Sequence, residues 1–260
     1  MNKISSNANT DRSFYIKDTI VSFEEDETHE FKGHRNISVE EIPPWCRIAG
    51  SNRRSRKAVS RNINAFLNSA RGGTVYLGIV DEGIVKGLQL TEHQKHHVII
   101  AMTDLAARYK PPIQSDMYSI KFCPVLRREQ LTVQTFEHVF DEAKQTPHVI
   151  RTSDYCWCDR EAEFRCRRNI SIQEYVIEIT VFPFRDELTR DKSGHYKLKL
   201  HPIYEDELGR CYFRRTASIV RCSRNEIVEF TRQEVQSRFT SIVSALKEEI
   251  VCLEKEMANL

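Results

Sequence analysis

Arg71-Gly72-Gly73-Thr74-Val75-Tyr76-Leu77-Gly78-Ile79-Val80-Asp81 is the stretch on which the fold turns. Val75 to Ile79 alternate and cluster as a buried strand does, and Gly72-Gly73 permits a tight turn or a close backbone approach. Asp81 is therefore expected at a strand end. Upstream, Thr28 to Phe31 predicts a short strand that leads into the basic, loop-like run Lys32-Gly33-His34-Arg35, with Glu25 just ahead of it and Glu30 within it. Carboxylates at the ends of adjacent strands can converge on a hard divalent cation, which prefers oxygen ligands. Glu25, Glu30 and Asp81 are thus a candidate site for Mg or Mn, an ion that would activate water and stabilise charge on a phosphoryl oxygen. From spacing alone, the plainer reading is favoured: Glu24-Glu25-Asp26-Glu27 is a solvated acidic run, and its register leaves either Glu24 or Glu25 as the first carboxylate.

Outward from these blocks, Ser55 to Ser69 carries Val59, Ile63, Phe66 and Leu67 at helical spacing, with Arg53, Arg54, Arg56, Lys57 and Arg61 at its start. A second helix is predicted over Glu92 to Tyr109, ended by Pro111-Pro112. Strands are predicted over Met117 to Val125, Tyr175 to Phe182, Lys197 to Ile203 and Cys211 to Arg214, with a turn at Leu208-Gly209-Arg210. Strands and helices mixed, with several late strands adjacent in sequence, favour an α+β domain with a mixed or antiparallel sheet. The boundaries read as a flexible leader over 1–20, its first residues too polar to offset the entropy of ordering, a core domain over 21–230 and a C-terminal helix over 231–260.

Lys and Arg number 39 against 37 Asp and Glu, so overall charge gives no signal for nucleic acid and any such signal must be local. The chain has 8 cysteines without a secretory signal or a regular framework, which predicts reduced thiols in an intracellular, cytoplasmic protein. No stretch approaches the roughly 18 apolar residues that a membrane span requires. Neither a Gly-x-Ser-x-Gly elbow nor a P-loop is present, so a hydrolase triad and Walker-type nucleotide binding have no footing.

The ordered blocks Glu25-Asp26-Glu27-Thr28-His29-Glu30-Phe31-Lys32, Ala65-Phe66-Leu67-Asn68-Ser69 with Gly72-Gly73, Gly78-Ile79-Val80-Asp81 and Gly83-Ile84-Val85-Lys86-Gly87 resemble the Schlafen core, one of the AlbA-like domains. Tyr212-Phe213-Arg214-Arg215-Thr216-Ala217-Ser218, followed by Arg221 and Glu226-Ile227, resembles the final strand of that core and its turn, so the likeness runs from about Val21 to Phe230. It implies an RNA endoribonuclease that acts on structured RNA such as tRNA or small-RNA precursors, with Glu25, Glu30 and Asp81 as metal-binding catalytic carboxylates. Lys32, Arg35, Arg53, Arg54, Lys57, Arg214, Arg215 and Arg221 belong to these blocks or flank them, and each contact to phosphate would add a salt-sensitive term to binding. Arg214 and Arg215 alternate on a strand, so at most one faces a cleft. A non-catalytic RNA-binding or scaffold subunit is the alternative.

His148, Cys156, Cys158 and Cys166 lie close in sequence, and thiolates with imidazole suit structural zinc. The resemblance implies a zinc site built from a His-x-Cys pair and a later adjacent Cys pair. Here the first pair is Lys121-Phe122-Cys123, without the His, and the later one is Cys156-Trp157-Cys158. Those departures favour unliganded, partly buried cysteines over zinc. His93 and His97 share a helical face, but no Glu completes a zincin motif, and both read as surface histidines.

Family members can carry two related lobes that close around RNA, whereas this chain shows no internal repeat and reads as one lobe. Phe239, Val243, Leu246, Ile250, Leu253, Met257 and Leu260 alternate spacings of four and three, the seam of a left-handed coiled coil. Pairing with itself or with related Schlafen-like subunits is expected; the competing reading is an amphipathic helix folded back on its own domain.

Overall fold

A computed structural model describes residues 14–50, 55–127, 146–185, 188–197 and 199–258. Residues 1–13 of the expected leader, Arg53, Arg54 and Leu260 lie outside the described residues, whereas the rest of the expected flexible leader is corrected by Tyr15–Ile16, which form a strand with Tyr15 buried. The chain forms a mixed sheet with helices on one face, an α+β architecture. At its centre is β6 (Glu174–Val181), antiparallel to both β3 (Gly73–Leu77) and β5 (Tyr118–Leu126). β2 (His29–Lys32) runs parallel beside β3, β1 (Tyr15–Ile16) parallel beside β5, and β4 (Leu88–Gln89) pairs with the start of β6.

Period-two alternation sorts the side chains between the two faces. Val75 and Leu77 of β3 and Ile177, Ile179 and Val181 of β6 pack against the helices, while Phe31, Cys123, Val125 and Val176 form a smaller core on the other side. The helical face is covered by α1 (Ser60–Asn68) and α2 (Glu92–Arg108), through Ile63, Phe66, Val98, Met102 and Leu105. Gly72 and Gly73 have φ of +69° and +154°; a Cβ on the first would strike the Val181 carbonyl, and one on the second would press into the Phe66 ring. The close approach inferred from the glycine pair is a property of the fold.

Several expected elements are shifted or replaced. α1 starts at Ser60 rather than Ser55, because the amides of Val59 and Ser60 donate to the carbonyls of Asn36 and Ile37, which ties the preceding chain to that loop. Among the described residues of the expected strand over Lys197 to Ile203, no ladder forms. The chain after it is captured by side chains instead: Asn68 accepts from the Tyr204 amide at 2.7 Å, and Asn64 donates to the Tyr204 carbonyl at 2.9 Å. Asn64 also accepts from the Tyr212 amide at 2.7 Å, which fastens β7 (Tyr212–Arg215) to α1. β7 pairs antiparallel with β8 (Ser218–Arg221) in a separate hairpin. A further helix, α3 (Trp157–Arg167), has Glu161–Arg165 and Glu163–Arg167 pairs along its surface.

α4 (Arg224–Ala258) begins with a reciprocal cap, in which the Ser223 hydroxyl and the Glu226 carboxylate each bond the other's backbone amide. It touches the rest of the molecule through Phe230 on Phe213, buried Arg238 and the Arg190–Glu249 pair. Phe239, Val243, Leu246, Ile250, Leu253 and Met257 are all exposed. The seam therefore does not fold back on its own domain.

Candidate functional site

Glu30 is the second residue of β2 and is buried beside Phe31. Its carboxylate pairs with the Arg214 guanidinium and with the Lys32 ammonium. Arg214 also donates to the carbonyls of Asp26 at 2.8 Å and His29 at 2.7 Å, and its guanidinium lies over the Phe66 ring. With a side chain only 1% exposed, Arg214 is closed to phosphate contact; it binds the acidic segment to the β7–β8 hairpin. The sequence expectation of a phosphate ligand at Arg214 is corrected accordingly.

The segment ahead of β2 runs along the turn that follows β3: the Val21 amide donates to the Gly83 carbonyl, and Ile20 bridges Ile84. Glu25 is thereby turned inward, where its Oε1 accepts from the Phe31 amide at 2.8 Å, while Glu24 stays exposed. Burial raises the Glu25 carboxyl; the Phe31 amide opposes this, and the charges of Glu30 and then Asp81 raise it further. β3 ends at Leu77, so Asp81 is exposed in the tight 79–85 turn rather than at the strand end. Glu25 thus senses the charges of Glu30 and Asp81, but the oxygens of the three do not gather into a tight ligand group among the described residues. A cation placed between like charges of this kind relieves their repulsion.

Of the other basic candidates, Lys32 is spent on Glu30 and the Phe31 carbonyl, and Arg35 pairs with Asp159. Lys57, Arg215 and Arg221 are exposed, Arg215 lying 4.0 Å from Glu226.

A second cluster forms where the start of α2, the 146–149 segment and the start of α3 meet. One donor atom each from His97, His148, Cys156 and Cys158 lies within 4.8 Å of the others. Cys156 Sγ is 3.5 Å from His148 Nδ1, and Cys158 Sγ is 3.6 Å from His97 Nδ1. A tetrahedral ion bound by thiolate at ~2.3 Å and imidazole at ~2.1 Å has sulfur–nitrogen edges of about 3.6 Å, so the donor set fits such a metal. The surroundings fit as well. The Val149 amide donates to Cys156 Sγ, and His148 stacks on Trp157 while its Nε2 sits 3.2 Å from His96 Nδ1. Gln94, which closes the α2 capping box with Thr91, donates to Asp159 at 2.8 Å, fixing the residue next to Cys158. Burial pushes the Cys158 thiol well up and holds the His97 imidazole down to about 4. A bound cation reverses the penalty on the thiols, since it favours the thiolate.

The family model described as Schlafen, AlbA_2 matches residues 25–223. The chain belongs to this family. Its members are often nucleases or RNA-binding proteins. The match begins at Glu25 and ends after β8, so it takes in both the acidic segment of this Schlafen domain and its histidine–cysteine cluster.

The cluster corrects the sequence reading at three residues. Cys123 is buried in the smaller core, and Cys166 is exposed near Gln89, so neither joins the set. His97 joins it and is buried rather than on the surface, while His93 is partly covered, its ring against Trp157. The sequence places His97 on a predicted helix, but nothing in it ties that helix to the Cys-x-Cys segment.

If the cluster holds a metal, the purified Schlafen domain should carry about one equivalent. Cys158→Ser should abolish retention and lower the melting temperature, whereas Cys166→Ser should change neither. Elemental analysis after gel filtration reads this directly; loss of metal with Cys166→Ser and retention with Cys158→Ser would point to a different ligand set.

Proposed function

We propose that this chain is a metal-dependent endoribonuclease acting on structured RNA, with tRNA or small-RNA precursors as the substrate class. The observation that carries the reading is the convergence of charge on Glu25, whose carboxyl is raised by burial and by Glu30 and Asp81. Bound Mg or Mn would supply Lewis acidity and an activated water there. Arg214 and Lys32 hold and orient Glu30, the Phe31 amide fixes Glu25, and Lys57, Arg215 and Arg221 are exposed cations open to the RNA backbone. Zinc is the proposed occupant of the histidine–cysteine cluster, in a structural role, because four protein ligands leave no open position. No helix among the described residues is long and apolar enough to cross a membrane, and the proposed setting is the cytoplasm.

A second reading, a non-catalytic RNA-binding or scaffold subunit, is favoured by one feature: Glu30 is already committed to two cations and the three carboxylates do not form a tight ligand group. Asp81→Asn tests the first reading without disturbing the fold, because Asp81 is exposed. With Mn and a panel of tRNAs and hairpins, the parent protein should cut and Asp81→Asn and Glu25→Gln should each lose at least about a hundredfold in rate, the scale of removing a group that acts in the transition state. Binding without cutting by the parent would establish the scaffold reading, and undiminished cutting by both variants would remove the carboxylates from the chemistry.

The exposed seam of α4 supports assembly. Val243 and Ile250 alternate with Leu246 and Leu253, the β-branched and leucine pattern of a parallel two-stranded coiled coil. A second helix, from another copy or a related subunit, would bury this seam and supply the facing side of an RNA cleft. Leu246→Glu with Leu253→Glu should convert an oligomer into a folded monomer, because a charge there would be left in a dry interface. Light scattering that finds the unmodified protein monomeric at high concentration would reject self-association and leave only a different partner chain.

A further inference from the structure

A cavity of about 340 Å³ lies between the loop that leaves β2 and the 149–159 segment that carries the cysteines. Its volume is in the range of small-ligand sites, roughly 300 to 1,000 Å³. Each bounding segment contributes an aromatic ring that packs little against the protein: Trp45 is 66% exposed and Tyr155 is 63% exposed. Other rings, such as Phe164 and Phe239, are exposed elsewhere on the molecule, but Trp45 and Tyr155 are the exposed rings that line this cavity. Arg56 adds an exposed cation, and Leu90 an apolar surface.

The polar part of the lining is weakly charged near neutral pH. His34 is held down to about 4 by burial and then by Arg56 and Lys32, with the Lys57 backbone pulling the other way. Burial pushes the Glu41 carboxyl up to about 7, and the Arg35–Asp159 pair neutralises itself. Asn36 donates through Nδ2 to the Glu41 carbonyl, while its buried Oδ1 has no hydrogen-bond partner. The rim carries an exposed cation, Arg56, and an exposed carboxylate, Asp154, so the two rings and the nearly neutral buried lining suit a flat heteroaromatic ring whose phosphate lies beside Arg56.

We propose that this cavity receives an unpaired nucleobase of the RNA substrate, stacked on Trp45 and Tyr155 with its phosphate near Arg56. The inference rests on the RNA reading above and adds what the protein selects: a base splayed from a loop, bulge or end, since bases within a duplex are not available to stack on side chains. All four bases present a donor beside an acceptor on the pairing edge, so the pocket selects for single-strandedness and not for one base. Gly33 to Asn36 follow β2 directly, so a base seated here brings the adjoining RNA backbone beside the strand that carries Glu30.

The test compares Trp45→Ala/Tyr155→Ala, Trp45→Phe/Tyr155→Phe and the parent protein in buffer without added divalent metal, so that binding is read without cutting. The probes are a hairpin RNA with an unpaired loop and a fully paired duplex with the same stem. The parent should prefer the hairpin by about tenfold, the alanine pair should lose that preference with duplex affinity unchanged, and the phenylalanine pair should keep it, because base stacking on aromatic rings is tolerant of which ring is used. A parent without the preference, or an alanine pair that retains it, overturns the proposal. Should neither RNA bind, the RNA reading itself fails, and GMP decides the pocket separately. Saturable quenching of tryptophan fluorescence that vanishes in both Trp45→Phe and Tyr155→Ala supports a nucleotide site; no quenching overturns it.

Discussion

A carboxylate and a guanidinium shut away from water at the edge of the sheet hold the acidic face of this molecule together. Glu30 and Arg214 come from opposite ends of the matched region and pair in a setting where both side chains are almost fully buried. Desolvating two ions is costly, and the cost is offset only when geometry and additional hydrogen bonds are good. Arg214 meets that condition by bonding two backbone carbonyls of the acidic segment as well as Glu30, so one side chain fixes the path of residues 26–30 and the seat of the hairpin at once. Asn64 and Asn68 complete the fixture by clamping the same hairpin to α1.

From that pair, order propagates along β2 in both directions. Toward the N-terminus it sets Glu25 against the Phe31 amide and within the field of Asp81. Toward the C-terminus it leads through Lys32 to Arg35, whose partner Asp159 adjoins Cys158 of the histidine–cysteine cluster. The cluster is therefore a brace for the loop that leaves the acidic strand. A metal there would lock α2, α3 and the 146–149 segment into one unit and so would stiffen one wall of the neighbouring cavity.

Much of the fold was legible because periodicity reports burial. The helix over Glu92 to Tyr109, the strands around Val75, Phe122 and Ile179 and the glycine pair were each specified by local pattern, and each lies within a residue or two of its expected place. The strand expected over Lys197 to Ile203 failed for a non-local reason, because asparagine side chains on α1 satisfy the backbone that follows it. α3 was hidden by its composition: its charges satisfy helical i,i+4 pairing, but its cysteines drew attention as ligands. In the candidate site, Glu25, Glu30 and Asp81 stood out as carboxylates near strand ends, where spacing alone favoured a solvated acidic run, and the family resemblance supplied their proposed role. The burial of Arg214 and the recruitment of His97 depend on contacts between residues far apart in sequence, which no spacing rule encodes.

The dependence of the acidic face on the Glu30–Arg214 pair is open to one direct measurement, a double-mutant cycle of unfolding free energy with Glu30→Ala, Arg214→Ala and both together. Glu30→Ala strands the buried Arg214 guanidinium and should cost about 3 to 5 kcal/mol, whereas Arg214→Ala leaves Glu30 with Lys32 as its remaining partner and should cost less. The double variant removes both charges and should cost clearly less than the sum, leaving a coupling energy of about 2 kcal/mol or more. Costs that add to within about 0.5 kcal/mol would contradict the account, because independent residues behave in that way.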